Sequence, residues 1–166
     1  LGITSKRIDT AGTDVTPLVN VHAVAVMSKE HPLAKKRAIH VKDLDGCAYL
    51  SAGRNDDMHA TMLNLFAKLH IQPKIMSETT YALTTCMLAL HGVGVGVVSP
   101  FIVSDLRKLG LVVKPFLPKV PVDLVVLTPK DVPNSRLTEA FIRNLRTAIL
   151  PSTEDEVSSD LPSRRG

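Results

Sequence analysis

Short apolar runs alternate along this chain with segments whose apolar residues recur at helical spacing. Residues 19–28 are rich in Val and Ala, which predicts a strand that is buried on both faces. Helical spacing is found in residues 56–69 and again in residues 79–90, and residues 135–149 predict a final helix. Because strands alternate with helices, the pattern predicts an α/β fold with a largely parallel sheet.

The remaining strands are predicted from short runs that are bounded by turn signals. In chain order these runs are LGI, CAYLSAG, QPKIMSE, VGVVS, LVVKPFL and PVDLVVLTP. Each helix is expected to bury one apolar face. The residues on these faces are Met58, Met62, Leu65, Phe66 and Leu69 in the first helix, Leu83, Cys86, Met87 and Leu90 in the second, and Leu137, Phe141, Leu145 and Ala148 in the last. The expected N-caps are Asn55 or Asp56 for the first helix and Thr79 or Thr80 for the second. After Pro151 the chain is rich in Ser, acidic residues, Pro and Arg, which predicts a disordered tail.

The segment GVGVG at residues 92–96 has the composition of a phosphate-binding loop. Such a loop follows a strand and opens a helix, so that the phosphate meets the positive end of the helix dipole. Here the order is reversed, because the glycines follow a predicted helix and precede a predicted strand. Gly92 is better explained as a left-handed helix terminator, and Gly94 and Gly96 by close packing of a helix on a strand.

Three corners between a strand and a helix, SAGRND, SETT and SPF, carry polar groups that suit a carboxylate ligand. In open α/β sheets, ligands lie at the carboxyl ends of the strands, where the N–H groups of helix starts converge. Arg54 can form two hydrogen bonds with one acid group, and Glu78 can accept from an ammonium or guanidinium group. Taken singly, Ser51, Asn55 and Thr79 are better explained by helix capping, and Arg54 by a surface position. Their predicted convergence on one side of a sheet is what favours binding.

Composition and charge narrow the class of protein. The chain is 45% hydrophobic and 22% charged, as in globular domains, and no apolar run reaches the roughly 18–20 residues of a membrane span. Its net charge is +4, and the densest basic cluster, residues 35–37, is interpreted as a solvated loop because no aromatic residue is interleaved with it. The alternative is a patch that contacts phosphate. Cys47 and Cys86 form no CxxC pair, which argues against a disulfide framework and fits a cytoplasmic protein.

No motif typical of catalysis or of metal binding is found in the sequence. The six histidines, at residues 22, 31, 40, 59, 70 and 91, show neither an HExxH pattern nor zinc-ligand spacing. His22 and His91 are interpreted as packed or capping residues. There is no G-x-S-x-G elbow, no Cys–His–Asn signature and no evident carboxylate pair. We therefore expect no enzymatic activity, no metal ion and no cofactor.

The order of motifs resembles that of the effector-binding domain of LysR-type transcriptional regulators. The matching parts are the strand that ends in HPLA, the DL-G turn in VKDLDG, and the segment TTYALTTCMLALHGVGVGVVSP. None of these motifs is specific alone, but their order and spacing match over nearly the whole chain up to about Pro151. The segments GVGVVSPF and GLVVKPF are most similar to those of members that respond to amino acids or their derivatives, including regulators of diaminopimelate use and of opine catabolism.

The resemblance implies a periplasmic-binding-protein-like fold, in which two Rossmann-like lobes are joined by two crossing strands and hold the effector in the cleft. The expected parts are crossing strands at residues 19–28 and 122–128, a complete second lobe at 29–121, an incomplete first lobe at 1–18 and 129–150, and a flexible tail at 151–166. The helix-turn-helix domain and the first strands of the effector domain have no counterpart in this sequence. We therefore expect that the chain does not bind an operator by itself.

The resemblance also implies the positions of the effector site. Carried over by position, these are Ser51, Gly53, Arg54 and Asn55, Glu78 and Thr79, Phe101 as an apolar wall, and Thr4 and Ser5 from the other lobe. The expected function is effector sensing in a bacterial transcriptional regulator that binds a small anionic, amino-acid-like ligand and is a homo-oligomer at full length. The alternative is a solute-binding protein of a transporter with the same fold, and a small enzyme that uses the same cleft is a further rival.

Overall fold

The computed structural model describes residues 1–5 and 11–158, and its contacts divide the chain into two compact units. The central unit is His22–Val120, and the terminal unit consists of Leu1–Val21 together with Pro121–Gly166. The two borders lie within the first predicted crossing strand and immediately before the second. The role of these strands as a hinge stays a prediction.

The predicted alternation of strands and helices is confirmed within the described residues. The strands are β1 (Gly2–Ser5), β2 (Thr13–His22), β3 (Val24–Met27), β4 (Ile39–His40), β5 (Ala48–Ala52), β6 (Lys74–Thr79), β7 (Val95–Val98), β8 (Val112–Leu117) and β9 (Pro121–Pro129). The helices are α1 (Asp57–Leu69), α2 (Ala82–Leu90), α3 (Ser104–Lys108) and α4 (Arg136–Ser158). Short 3₁₀ turns lie at Pro32–Lys35, Val41–Leu44 and Pro100–Ile102. Among the described helices, none has both the length and the apolar content needed to cross a membrane.

A six-stranded sheet in the order β4-β8-β3-β7-β5-β6 forms the centre of the central unit. β5 runs parallel to both β6 and β7, but β3 runs antiparallel to its neighbours β7 and β8. Five of these six strands run in one direction, so the predicted largely parallel sheet is confirmed, with β3 as the reversed strand. All four residues of β3 are buried as predicted. Burial on both faces indicates that a strand is central, but it does not fix the direction of that strand.

The first helix of the central unit follows its prediction closely. Asp56 is the N-cap of α1, because its side chain accepts a hydrogen bond from the Met58 N–H at 2.8 Å. Met62 and Phe66 are buried on the inner face, and the ring of Phe66 packs edge-on against Tyr49 of β5 with a centroid distance of 5.2 Å. This packing holds the second half of α1 against the first half of β5.

The predicted buried face of the second helix is only partly confirmed: Cys86 is fully buried and Leu90 is half-buried against the core. Leu83 and Met87 are 55% and 37% exposed, so their assignment to the core is wrong. The residues that α2 buries are Thr85, Cys86 and Ala89. These small side chains let the helix lie close to the sheet, where a Cβ added to Gly96 would come within 2.4 Å of Thr85 Cγ2. The predicted N-caps are also wrong, because Tyr81 occupies the N-cap of α2 and no side chain caps the helix.

The glycines of residues 92–96 join α2 to β7, as the sequence predicts. Gly92 has φ +78° directly after the helix, which agrees with a left-handed terminator. Gly96 is required by the helix–strand packing described above. Gly94 is required for another reason: an added Cβ would lie 2.6 Å from the Ala48 carbonyl oxygen, so it meets the backbone of β5 and not a helix.

The terminal unit contains a three-stranded sheet in the order β1-β9-β2, with β1 antiparallel to β9. Residues 19–28 do not form one strand, because β2 begins at Thr13 and the chain leaves strand geometry at Ala23. The final helix continues from its predicted range through Ser158, and residues 159–166 of the predicted tail lie outside the described residues.

The predicted buried face of α4 is mostly wrong. Leu137 is 80% exposed and Phe141 is 47% exposed, Ala148 is also exposed, and Leu145 is half-buried. Arg146 of this helix donates to the Pro17 carbonyl oxygen of β2 at 2.8 Å. The helix therefore forms as its periodicity predicts, but the described residues of this unit cover little of its apolar face.

Candidate functional site

The carboxyl ends of β5, β6 and β7 lie at one edge of the central sheet, because the three strands are parallel neighbours. In the pairing of β5 with β6, Ser51 lies opposite Glu78 and Ala52 lies opposite Thr79. The predicted convergence of the SAGRND and SETT corners is therefore observed. We call this group, formed by Ser51, Gly53, Arg54, Glu78 and Thr79, the strand-end site.

Arg54 and Glu78 form an ion pair across the two corners. Arg54 Nε lies 3.3 Å from Glu78 Oε1, and the two side chains are 83% and 37% exposed. Ion pairs with this exposure contribute only about 0–1 kcal/mol to stability, so a ligand can displace them with little loss. The pair presents a cation and an anion side by side, which matches the carboxylate and ammonium groups of an amino acid.

Gly53 keeps the two corners close together. A Cβ built on Gly53 would lie 3.3 Å from Thr80 Cα and 3.4 Å from the Thr79 carbonyl oxygen. Backbone atoms cannot yield as the end of a flexible side chain can. A larger residue at this position would therefore push the loop after β5 away from the end of β6.

The two helix starts beside the strand-end site differ in their capacity for an anion. The start of α1 is occupied by the Asp56 carboxylate, which accepts the Met58 N–H and would repel a second negative group. The start of α2 has no side-chain cap, because the hydroxyl of Thr79 lies 2.6 Å from that of Thr85 instead. The N-terminal end of α2 is therefore the better position for a ligand carboxylate.

Ser51 is nearly enclosed and is held by a residue that the sequence analysis did not assign to the site. It is 5% exposed, and its Oγ lies 3.0 Å from Nδ1 of His59 and 3.1 Å from the Ala52 carbonyl oxygen. The same Nδ1 lies 2.9 Å from that carbonyl oxygen. The only sequence signal for His59 is its place in the first turn of α1, directly after the SAGRND corner.

The other predicted residues are less closely connected to the strand-end site. Asn55 is exposed in the turn before α1. Phe101 is half-buried in the turn after β7, and its N–H donates to Ser99 Oγ at 3.5 Å. Thr4 and Ser5 belong to β1 of the terminal unit. That any of these residues contacts an effector stays a prediction.

The two cysteines lack the properties of catalytic thiols. Cys47 Sγ lies 3.8 Å from Nε2 of His31, which is the only arrangement in the described residues that pairs a thiol with an imidazole. Burial raises the pKa of the Cys47 thiol, and it raises the pKa of Cys86 to about 11. Because the thiolate is the nucleophilic form, both groups are poor nucleophiles near neutral pH.

A cavity at the C-terminal end of α2 is lined by none of the predicted effector-site residues. It has a volume of about 440 Å³ and is lined by Ser28, Glu30, His31, Pro32, Leu90, His91 and Gly92. Within the residues that the structure describes, no three His, Cys, Asp or Glu side chains are placed to hold a metal ion. The charged and polar groups of the central unit that were predicted to bind an effector converge instead at the strand-end site.

The sequence of this chain is similar to that of a known protein family. Residues 1–149 match the family model described as LysR substrate binding domain. The chain is 32% identical over 149 residues to the transcriptional activator protein LysR of Escherichia coli (strain K12), covering 90% of this chain and 48% of that protein. It is 26% identical over 149 residues to the regulatory protein NocR of Agrobacterium tumefaciens (strain T37), covering 90% and 50%. The chain thus spans about half the length of these relatives.

A solved structure with the same fold is the CcmR regulatory domain of Synechocystis PCC6803 in complex with 2-PG. It superposes with a TM-score of 0.73 over 89% of this chain and 72% of that chain, at 19% sequence identity. The predicted periplasmic-binding-protein-like α/β fold is confirmed by this likeness together with the family match.

Proposed function

We propose that this chain, which belongs to the LysR substrate-binding domain family, senses a small amino-acid-like effector for a longer transcriptional regulator. The effector binds at the strand-end site, and its differential affinity for two conformations of the regulator alters DNA binding by a separate domain. In this proposal Thr4 and Ser5 also bind the effector, and residues 19–28 and 122–128 are the crossing hinge strands.

The observation that carries the proposal is the exposed Arg54–Glu78 pair beside the uncapped start of α2. A ligand carboxylate would bind Arg54 and the first N–H groups of α2, and a ligand ammonium group would bind Glu78. A carboxylic acid without an amino group would bind Arg54 and the first N–H groups of α2 but would leave Glu78 without a partner from the ligand. An amino acid, or a compound derived from one, is therefore the effector class that fits best.

The relatives favour a regulator over a transporter component. LysR of Escherichia coli and NocR of Agrobacterium tumefaciens are regulatory proteins by name, and the solved CcmR structure is a regulatory domain. The full-length protein would bind DNA through a part that lies outside this chain, and it would act as an oligomer. A solute-binding role would require relatives of that class at similar identity.

The first experiment is a thermal-unfolding screen of the 166-residue chain against L-lysine, diaminopimelate, an opine and succinate. A ligand at one hundred times its dissociation constant should stabilise the chain by about 2.7 kcal/mol, which is a visible shift. We expect the compounds with an amino group to exceed succinate. Equal shifts with succinate would show that the effector is a simple carboxylate, and the absence of any shift would contradict the proposal.

Two variants locate the bound ligand. Arg54→Ala should weaken binding of the compound that stabilised the chain in the screen by about 1.5–3 kcal/mol, because it removes a charge-assisted hydrogen bond. Arg37→Ala is the matched control, since Arg37 is another exposed arginine of the same unit and lies away from the strand-end site. Equal affinities of the two variants would remove Arg54 from the site. Glu78→Gln should weaken the amino compounds and leave succinate unchanged.

A further inference from the structure

Ser51 Oγ, His59 Nδ1 and the Ala52 carbonyl oxygen lie within hydrogen-bonding distance of one another. Their arrangement determines which ring nitrogen of His59 carries a proton. Nδ1 of His59 is 2.9 Å from the Ala52 carbonyl oxygen, which can only accept a hydrogen bond. If Nδ1 carried no proton, two lone pairs would face each other at this distance. Nδ1 therefore carries the proton and donates it to the carbonyl group, whatever the charge of the ring.

The proton on Nδ1 limits the acceptors to which the Ser51 hydroxyl can donate. A protonated Nδ1 has no lone pair, so the Ser51 hydroxyl cannot donate to it across their 3.0 Å separation. The hydroxyl can donate to the Ala52 carbonyl oxygen at 3.1 Å, or it can rotate toward another acceptor. Because His59 already satisfies that carbonyl, the rotation leaves no backbone group unpaired.

We propose that His59 is a positioning residue, which satisfies the Ala52 carbonyl and so makes the Ser51 hydroxyl available as a donor to an acidic effector. The inference rests on the proposed function, and it defines the chemistry of that site further. Ser51 lies opposite Glu78 in the β5–β6 pairing, so its backbone neighbours that of one member of the ion pair. The ligand group that it selects is an acceptor such as a carboxylate oxygen.

The proton position can be measured without a ligand. Long-range ¹H–¹⁵N spectra of the full 166-residue chain distinguish a protonated ring nitrogen from an unprotonated one, and the spectrum of His59→Asn identifies the His59 signals among the six histidines. At a pH where the ring is neutral, we expect a protonated Nδ1 and an unprotonated Nε2. The opposite tautomer would overturn this inference and leave the proposed function intact.

A double-mutant cycle tests the connection to binding. L-lysine, diaminopimelate, an opine and succinate are titrated into the wild type, Ser51→Ala, His59→Leu and the double variant. We expect each single variant to weaken the bound compound about tenfold, and the double variant to be no weaker than either, because both act through one hydroxyl. Losses that multiply to about a hundredfold would overturn the inference.

A conservative variant separates positioning from a general structural role. The side-chain amide of His59→Asn can place an N–H near the position of Nδ1, so affinity should stay within about threefold of the wild type. His59→Leu should lose affinity even where its unfolding temperature equals that of His59→Asn. Equal affinities for the two variants would overturn the positioning role. Failure of all four compounds to bind the wild type would overturn the proposed function as well.

Discussion

The two units of this protein bury the same kinds of residue to different degrees. In the central unit, Leu50 of β5 is fully buried, as are all four residues of β3. In the terminal unit, Leu137 and Phe141 lie on the predicted apolar face of α4 and are 80% and 47% exposed. Helical periodicity therefore predicts that a helix forms, whereas the burial of its apolar face depends on which elements are available to cover it.

The largest expected difference in stability between the two units comes from replacing a leucine by alanine in each of them. Leu50→Ala should lower the free energy of unfolding by about 2–5 kcal/mol, because it removes buried methyl groups and leaves a cavity. Leu137→Ala makes the same chemical change at an exposed position and should stay within about 0.5 kcal/mol. Denaturant unfolding of both variants checks the prediction. A large loss for Leu137→Ala would mean that α4 is covered in solution.

The convergence of the SAGRND and SETT corners could be predicted because its signals are local. The end of β5, the Asp56 cap and the apolar face of α1 can each be recognised within a few residues. Parallel neighbours then bring the two corners together at one edge, as the rule for open α/β sheets requires. The Arg54–Glu78 contact follows from that arrangement, although no pattern in the sequence connects the two residues.

The parts that the sequence analysis missed depend on distant packing. α2 turns its small residues inward because Gly96 lets it approach the sheet, so hydrophobicity alone was wrong for Leu83 and Met87. His59 reaches Ser51 only after α1 has docked beside β5, and an isolated histidine gives no sign of this. The strand β2 was missed at Thr13 because its residues are mostly exposed or half-buried and contain little continuous apolar sequence.

A second comparison uses a glycine from each unit. Gly94→Ala places a Cβ 2.6 Å from the Ala48 carbonyl oxygen and should destabilise the chain by about 1–3 kcal/mol. Gly2→Ala in β1 meets only an ordinary contact of 3.8 Å with Leu127 Cβ. It should be neutral, or stabilising by about 0.4–1 kcal/mol, because alanine restricts the unfolded chain. Thermal unfolding measures both, and a neutral Gly94→Ala would show that β5 and β7 can separate at this point.

A smaller effect is expected from two helical threonines. Thr85 is buried in α2, and its hydroxyl is 2.6 Å from that of Thr79. Thr85→Val should lower the free energy of unfolding by about 1 kcal/mol, since it removes this hydrogen bond. Thr147→Val is the control in α4, where the exposed hydroxyl donates to the Arg143 carbonyl oxygen at 3.2 Å. Its change should be within about 0.5 kcal/mol, and equal losses at the two sites would argue against a difference between the units.

The smallest expected effect is the loss of stability at low pH that comes from protonation of Asp43 in the central unit. Burial alone would raise the pKa of Asp43, but hydrogen bonds from Lys36 Nζ at 2.6 Å and from the His40 N–H at 2.9 Å outweigh it and hold the pKa below 3.8. Because the folded state favours the carboxylate, this contribution is complete above the unfolded-state pKa and is lost as the pH falls through the folded-state value.

Replacement of Asp43 should therefore flatten part of the acid dependence. The free energy of unfolding is measured for the wild type and for Asp43→Asn between about pH 5 and pH 2. The two curves should approach each other as the pH falls, because the wild type loses what the variant already lacks. Leu137→Ala keeps every carboxylate and should retain the wild-type slope. Parallel curves for the wild type and Asp43→Asn would show that the Lys36 and His40 contacts do not favour the carboxylate in solution, and that the acid sensitivity originates outside this turn of the central unit.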